Sequence, residues 1–310
     1  MEKNKKSILT FIAIAFGLTW VTILVAFVTG VKNSDPSWGI ILMLCMFFPA
    51  IASLLTRKIT GEGFHRLRIR PRFKGHIFKY VLAIFLPSLC IICGCAAYFF
   101  FFPNNLDASC ANIVNGIITN EKAAGREMTA DSARGAFYAQ ILIALVIAPF
   151  VNLIPVFGEE LGWRGFLLQK LSNICGPVKA IVFSGVIWGL WHAPMIAMGH
   201  NYGIGYWGYP WLGILLMVLF CTAVGTLCSY ITLHVGSIIP ACLIHSTINA
   251  ISGIGIYFLS TTTGVSNFEI LMVGPTATGI LGMSMFILVG ALFLLKARRI
   301  KWNSETEMAE

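Results

Sequence analysis

Phe157-Gly158-Glu159-Glu160-Leu161-Gly162-Trp163-Arg164-Gly165-Phe166 sets two adjacent carboxylates in the middle of an apolar chain. A long apolar-rich run precedes the pair and a shorter one follows it. A charged side chain in a bilayer core costs on the order of a few kcal/mol or more. A chain keeps such a pair where another polar group satisfies it, or where chemistry needs it. Farther along, His192, His245 and Asn249 also fall within apolar runs. Glu, Arg, two His and Asn inside one bundle have the chemistry of a hydrolytic site.

The surrounding composition settles the solvent. The chain has 310 residues, 57% hydrophobic and only 11% charged, with a mean hydropathy of +0.81. A soluble domain carries about 25% charged residues. The fold class is therefore all-α: a polytopic membrane helical bundle, read as a single integral membrane domain over residues 1–310. The first apolar run, Ile8 to about Val28, is too long for a signal-peptide core and lacks an evident cleavage site, so it reads as a retained span. The net charge of +9 is no nucleic-acid signal, because its basic residues cluster in a few loops and at the ends. Most of the nine cysteines lie within apolar runs. Cys90, Cys93 and Cys95 lack the second Cys-x-x-Cys that a zinc site needs and read as buried thiols. Cys110 alone sits in a polar loop, so no disulfide framework is expected.

A span needs about 20 apolar residues. Eight runs qualify, at approximately 8–29, 38–55, 77–102, 136–158, 177–198, 210–233, 237–259 and 273–296. Lys3, Lys5 and Lys6 precede the first. Arg57, Lys58, Arg66, Arg68, Arg70, Arg72 and Lys74 crowd the loop to His76 against Glu62 alone. Arg164, Lys170 and Lys179 follow the fourth run, and Lys296, Arg298, Arg299 and Lys301 end the eighth. Eight spans put all four groups on one side, which the positive-inside rule makes cytoplasmic, with both termini inside and the plasma membrane as the expected location. The opposite 103–135 loop has room for a short surface helix, and the 199–209 loop carries the aromatics of an interface.

Within the opening stretch, Glu160 and Arg164 are four apart and share a helical face, where they can pair. That leaves Glu159, about 100° round the helix, to be satisfied from across the bundle. In the fifth run Gly185, Gly189 and His192 form one stripe; small residues at that spacing let two helices approach closely, so His192 faces the bundle. Taken alone, His192 reads as a hydrogen-bonded packing histidine, with Pro194 freeing a carbonyl nearby. In the seventh run His245, Asn249 and Ser252 make a polar stripe whose ordinary explanation is interhelical hydrogen bonding. Two histidines and a carboxylate from three helices can satisfy one another if they converge. His200 and His234 fall at loops and read as solvated, His65 and His76 belong to the basic loop, and none receives a role. His-Glu-x-x-His and Gly-x-Ser-x-Gly are both absent.

These residues resemble the CPBP family, the CAAX prenyl endopeptidases and bacteriocin-processing membrane proteins also called the Abi family. Its Glu-Glu-x-x-x-Arg motif is matched by Glu159, Glu160 and Arg164. Its Phe-x-x-x-His motif is matched by His192 with Trp188 in place of Phe, and its His-x-x-x-Asn motif by His245 and Asn249. The motif-bearing core covers about 136–259, and the N-terminal half resembles the family only as hydrophobic spans. The resemblance implies an eight-helix intramembrane endopeptidase. Glu159 would be the general base, working with His192 on a water, and His245 and Asn249 would stabilise the oxyanion. Glu160 and Arg164 would shape the site or orient substrate. A carboxylate in a low-dielectric site is a stronger base. Donors aimed at a developing oxyanion are worth about 3–4 kcal/mol. Glu159, His192 and His245 could also be three ligands of a catalytic zinc with water in the fourth position; sequence leaves both forms open, the balance toward the metal-free one.

One tension follows from the run boundaries. At 1.5 Å per residue His192 lies about 18–22 Å deep and His245 about 14 Å deep, whereas Glu159 falls at the cytoplasmic edge. For the three to meet, the fourth span must tilt or begin later, or the fifth must start deeper, with 165–176 as a connector. The expected substrate is a membrane-associated or lipidated peptide, a prenylated Cys-a-a-X end or a bacteriocin leader among them. Two other classes stay open: a non-catalytic protein of bacteriocin self-immunity, and a proton-coupled transporter, since intramembrane Glu and His also build proton relays.

Overall fold

In lipid the backbone must bond to itself, so apolar runs of bilayer length become helices. The computed structural model describes residues 2–260, 264, 266, 268–300 and 302. It consists of helices and irregular connections, with seven helical stretches long and apolar enough to cross a membrane among the described residues. In chain order these elements are α1 (Glu2–Val28), α2 (Pro36–Cys45), α3 (Phe48–Ile59), α4 (Ile77–Phe101), α5 (Ala111–Ala123) and α6 (Ala130–Val151). There follow α7 (Leu153–Gly162), α8 (Leu168–Trp191), the short α9 (Ala193–Ala197), α10 (Trp211–Val235), α11 (Ile239–Ile251) and α12 (Ser284–Ala297). The surface helix allowed for in the 103–135 loop is α5, which seats Val114 beside Phe137 of α6.

The fourth run does not stop at the carboxylates. After α6 the helix bends at Asn152 (φ −107°, ψ 22°) and continues through α7 and a π-turn, Trp163–Leu167, into α8. The bend has a local cause. Ser246 of α11 inserts its hydroxyl into the helical ladder, accepting from Asn152 N–H (3.1 Å) and donating to Ala148 O (3.1 Å). Pro149, one turn earlier, removes a donor of its own. The chain reverses only at Gly176, whose φ of 76° and ψ of 166° break α8 just before Pro177. The reversal brings Trp188 to 2.9 Å from Glu159, 29 residues earlier. Segment 165–176 is thus helix, not a connector, and Glu159 lies within the bundle. The sequence reading placed the turn too early because hydropathy falls at the charges themselves.

Glycines set how closely these helices approach. A Cβ on Gly189 would stand 2.5 Å from Val218 Cα, and one on Gly185 2.7 Å from Thr222 Cα, so α8 meets α10 backbone to backbone along the expected stripe. On α7, a Cβ at Gly158 would stand 2.8 Å from Met46 O, and one at Gly162 would collide with Pro49. The helix bearing the carboxylates therefore presses on the joint between α2 and α3.

The eighth run departs from its expected helix. Residues 274–283 are irregular, and only Ser284–Ala297 is helical. Gly274, Pro275, Gly279 and Gly282 oppose a helix there. The segment is mostly buried, and its backbone is satisfied elsewhere: Ala277 N donates to Ser252 O, Ile280 N to Met272 O and Leu281 N to Val273 O.

The basic-loop end of the bundle is tied by Glu62. Its Oε1 accepts from Ser7 of α1 at 2.5 Å and its Oε2 lies 2.6 Å from Lys170 Nζ of α8. Trp302 also reaches this end, donating to Asn173 at 2.8 Å. Lys301, counted among the basic residues of the C-terminal end, lies outside the described residues. None of the nine cysteines is paired; Cys90 is buried, while Cys93 and Cys95 are half-buried.

Candidate active site

A cavity of about 250 Å³ lies between α2, α7, α8, α10 and α11, and Glu159, His192, His245 and Asn249 all line it. The three helices whose polar residues had to converge do converge. Glu159 comes from α7, His192 from the end of α8, and His245 and Asn249 from one face of α11. The remaining wall is largely apolar, with Leu42, Met46, Met217, Phe220 and Ile248, while Asn201, Ser252 and Thr278 add polar atoms.

Glu159 is satisfied from across the bundle by Trp188 and, contrary to the sequence expectation, also locally by Trp163 four residues on. Its Oε2 accepts from Trp188 Nε1 at 2.9 Å and from Trp163 Nε1 at 3.3 Å. Glu160 is fully buried and pairs with Arg164 at 2.8 Å, as the four-residue spacing implied. The same oxygen, Oε1, also accepts from His245 Nδ1 at 2.8 Å. Arg164 is fully buried as well, and its guanidinium stands 4.4 Å over the Trp188 ring, which offers its negative face to the cation. Leaving one partner of such a pair alone in the interior is costly, so Glu160, Arg164 and His245 form one unit.

Hydrogen-bond partners fix which ring nitrogens carry protons. Trp188 O can only accept, so His192 Nδ1, 2.9 Å away, is the donor. A neutral His192 then has its lone pair on Nε2. His245 Nδ1 likewise donates to the Glu160 carboxylate. Both rings are held by aromatic edges, His192 by Trp191 at 4.7 Å between centroids and His245 by Trp188 at 5.0 Å. Asn249, one turn beyond His245, is exposed on the cavity wall.

His200 corrects the sequence reading. Its loop position reads as solvated, yet it lines this cavity and is half-buried. Burial pushes its imidazole down to about 4. The turn that brings it there runs through Gly199 (φ 88°) and Asn201 (φ 64°). Only the glycine and asparagine flanking His200 hinted at that turn.

Among the described residues no group of three His, Cys, Asp or Glu is arranged to hold a metal ion. Glu159 Oε2 is held by two indoles, and the Nδ1 atoms of His192 and His245 are taken by Trp188 O and Glu160; zinc-bound histidines are held in the same way, with the other ring nitrogen left for the ion.

Residues 136–251 match the family model described as Type II CAAX prenyl endopeptidase Rce1-like. A stretch of 53 residues is 38% identical to CAAX prenyl protease 2 of Methanococcus maripaludis, covering 17% of this chain and 20% of that protein. The chain thus matches about a fifth of the length of that relative. The matched family segment contains all three motifs and every polar group that converges on the cavity from α7, α8 and α11. Over residues 136–251 the chain is thus similar to the Rce1-like Type II CAAX prenyl endopeptidases.

Proposed function

We propose that this protein is an intramembrane endopeptidase that hydrolyses a membrane-associated or lipidated peptide with a water activated by Glu159 and His192. The observation that carries this reading is the single cavity lined by Glu159, His192, His245 and Asn249, with Glu160 and Arg164 buried behind His245. Glu159 takes the proton of the water, and the His192 Nε2 lone pair accepts its second O–H and aims it. The water oxygen attacks the scissile carbonyl. Asn249 donates its amide N–H to the developing oxyanion. His245 donates from Nε2 when the ring is doubly protonated, and the Glu160 carboxylate at Nδ1 balances the charge the ring then carries. The proton held by Glu159 passes to the leaving amine as the tetrahedral intermediate collapses. As proposed, every step is carried by side chains of this chain, without a metal.

The loop bearing Glu62, the start of α1 at Ser7, and Trp302 approach one end of the bundle, which we assign to the cytoplasm by the positive-inside rule. A peptide ending in a prenylated Cys-a-a-X motif is the first substrate to offer, since the family segment and the named relative share that chemistry. Purified protein in detergent should cleave it, with mass spectrometry as readout. Glu159→Gln should lose about 10²- to 10⁴-fold in rate at an unchanged melting temperature. Treatment with a chelator should leave the wild-type rate unchanged. Full activity in the glutamine variant would sink the reading. Loss of activity with chelator would replace the metal-free form by a metal-dependent one.

A further inference from the structure

Trp188 stands where the groups of the site meet. Its N–H donates to Glu159 Oε2, its carbonyl accepts from His192 Nδ1, its ring face lies beneath Arg164 and its edge meets His245. The indole is 2% exposed, so its donor has the carboxylate and not water for a partner. Trp163, with no exposed surface, adds its own N–H to the same oxygen. A glutamate carboxylate otherwise turns easily, because its terminal torsion is broad and two-fold. Two donors on Oε2 single out the other oxygen. Among the described residues nothing hydrogen-bonds to Oε1, and Glu159 lines the cavity.

We infer that Trp188 is a positioning residue for Glu159: its indole N–H holds Oε2 so that Oε1 is presented to the reacting water. The inference rests on the peptidase reading above. The phenylalanine usual in this motif would supply the ring against Arg164 and His245 but no donor. The hydrogen bond is therefore a feature of this chain's own sequence.

The test separates the donor from the ring. Trp188→Phe keeps an aromatic face, and 3-benzothienylalanine at position 188 keeps the full bicyclic shape while replacing N–H by sulfur. Both would be compared with wild type on the prenylated Cys-a-a-X peptide in detergent. The expected result is a fall in kcat of about tenfold or more, as for loss of a hydrogen bond to a charged group, with KM and melting temperature unchanged. An unchanged kcat in the benzothienyl variant overturns the inference. So does a loss of kcat accompanied by a rise in KM and a lower melting temperature, which marks a packing role. Should Trp188→Phe fail to fold, the benzothienyl variant decides alone. If the wild type itself cleaves nothing, the peptidase reading fails and the inference with it. If the wild type cleaves and the variants match it, the inference alone fails.

Discussion

Glu160 Oε1 accepts two hydrogen bonds of 2.8 Å, from Arg164 and from His245. The first was legible in the four-residue spacing; the second required α11 to pack against α7, which no local pattern encodes. His200 shows the same limit, because a loop residue looks solvated until its turn folds it over a cavity. Its burial has a thermodynamic consequence. The unfolded chain takes up the proton near pH 6.5, whereas the folded protein does so only near pH 4. The unfolded state binds more protons across that interval, so stability is lost as pH falls from about 6.5 toward 4. Thermal unfolding in detergent should show a melting temperature that drops from pH 7 to pH 5, and a smaller drop in His200→Asn. Parallel curves would mean that His200 is solvated after all. Trp188 was visible only as a departure from a motif, and its donor role depends on the reversal at Gly176.

At the level of elements, hydropathy located every apolar run but misjudged two ends. It ended the fourth at the carboxylates, although the backbone there stays helical and buried partners take up the charge. It also counted 273–283 as helix, where buried cross-bonds to Ser252, Met272 and Val273 stand in for a helical ladder. The Gly185, Gly189 stripe was legible as spacing, and its counterpart at Gly158 and Gly162 was masked by the glutamates between them. Close approach at Gly189 predicts a sharp cost for a small change. Gly189→Ala should destabilise by about 1–3 kcal/mol, because the new Cβ meets backbone that has little room to shift. Gly17→Ala in α1, where nothing lies within 4 Å, should show no such loss. Equal melting temperatures for the two variants would contradict a backbone contact between α8 and α10.

Across the whole molecule, Glu62 joins a loop to α1 and to α8. Burial pushes its carboxyl up, but hydrogen bonds from Lys170 and Ser7 outweigh burial and hold it below its ordinary 4.5. That contribution is present above about pH 4.5 and fades as pH falls through the lowered value. Glu62→Gln should therefore lower stability at neutral pH by about 1–3 kcal/mol, and the deficit should shrink in acid. A constant deficit would point to shape rather than charge. Long-range links of this kind also bear on biosynthesis. Phe11 packs on Trp163 and Phe166, and Thr19 accepts from Trp191 Nε1 at 2.8 Å. α1 leaves the ribosome while residues 163–191 are still to be made. In that interval Ser7 can still bond to Lys3 O within its own helix, but Thr19 lacks the indole N–H it will accept, and α1 completes its polar contacts only when the end of α8 emerges.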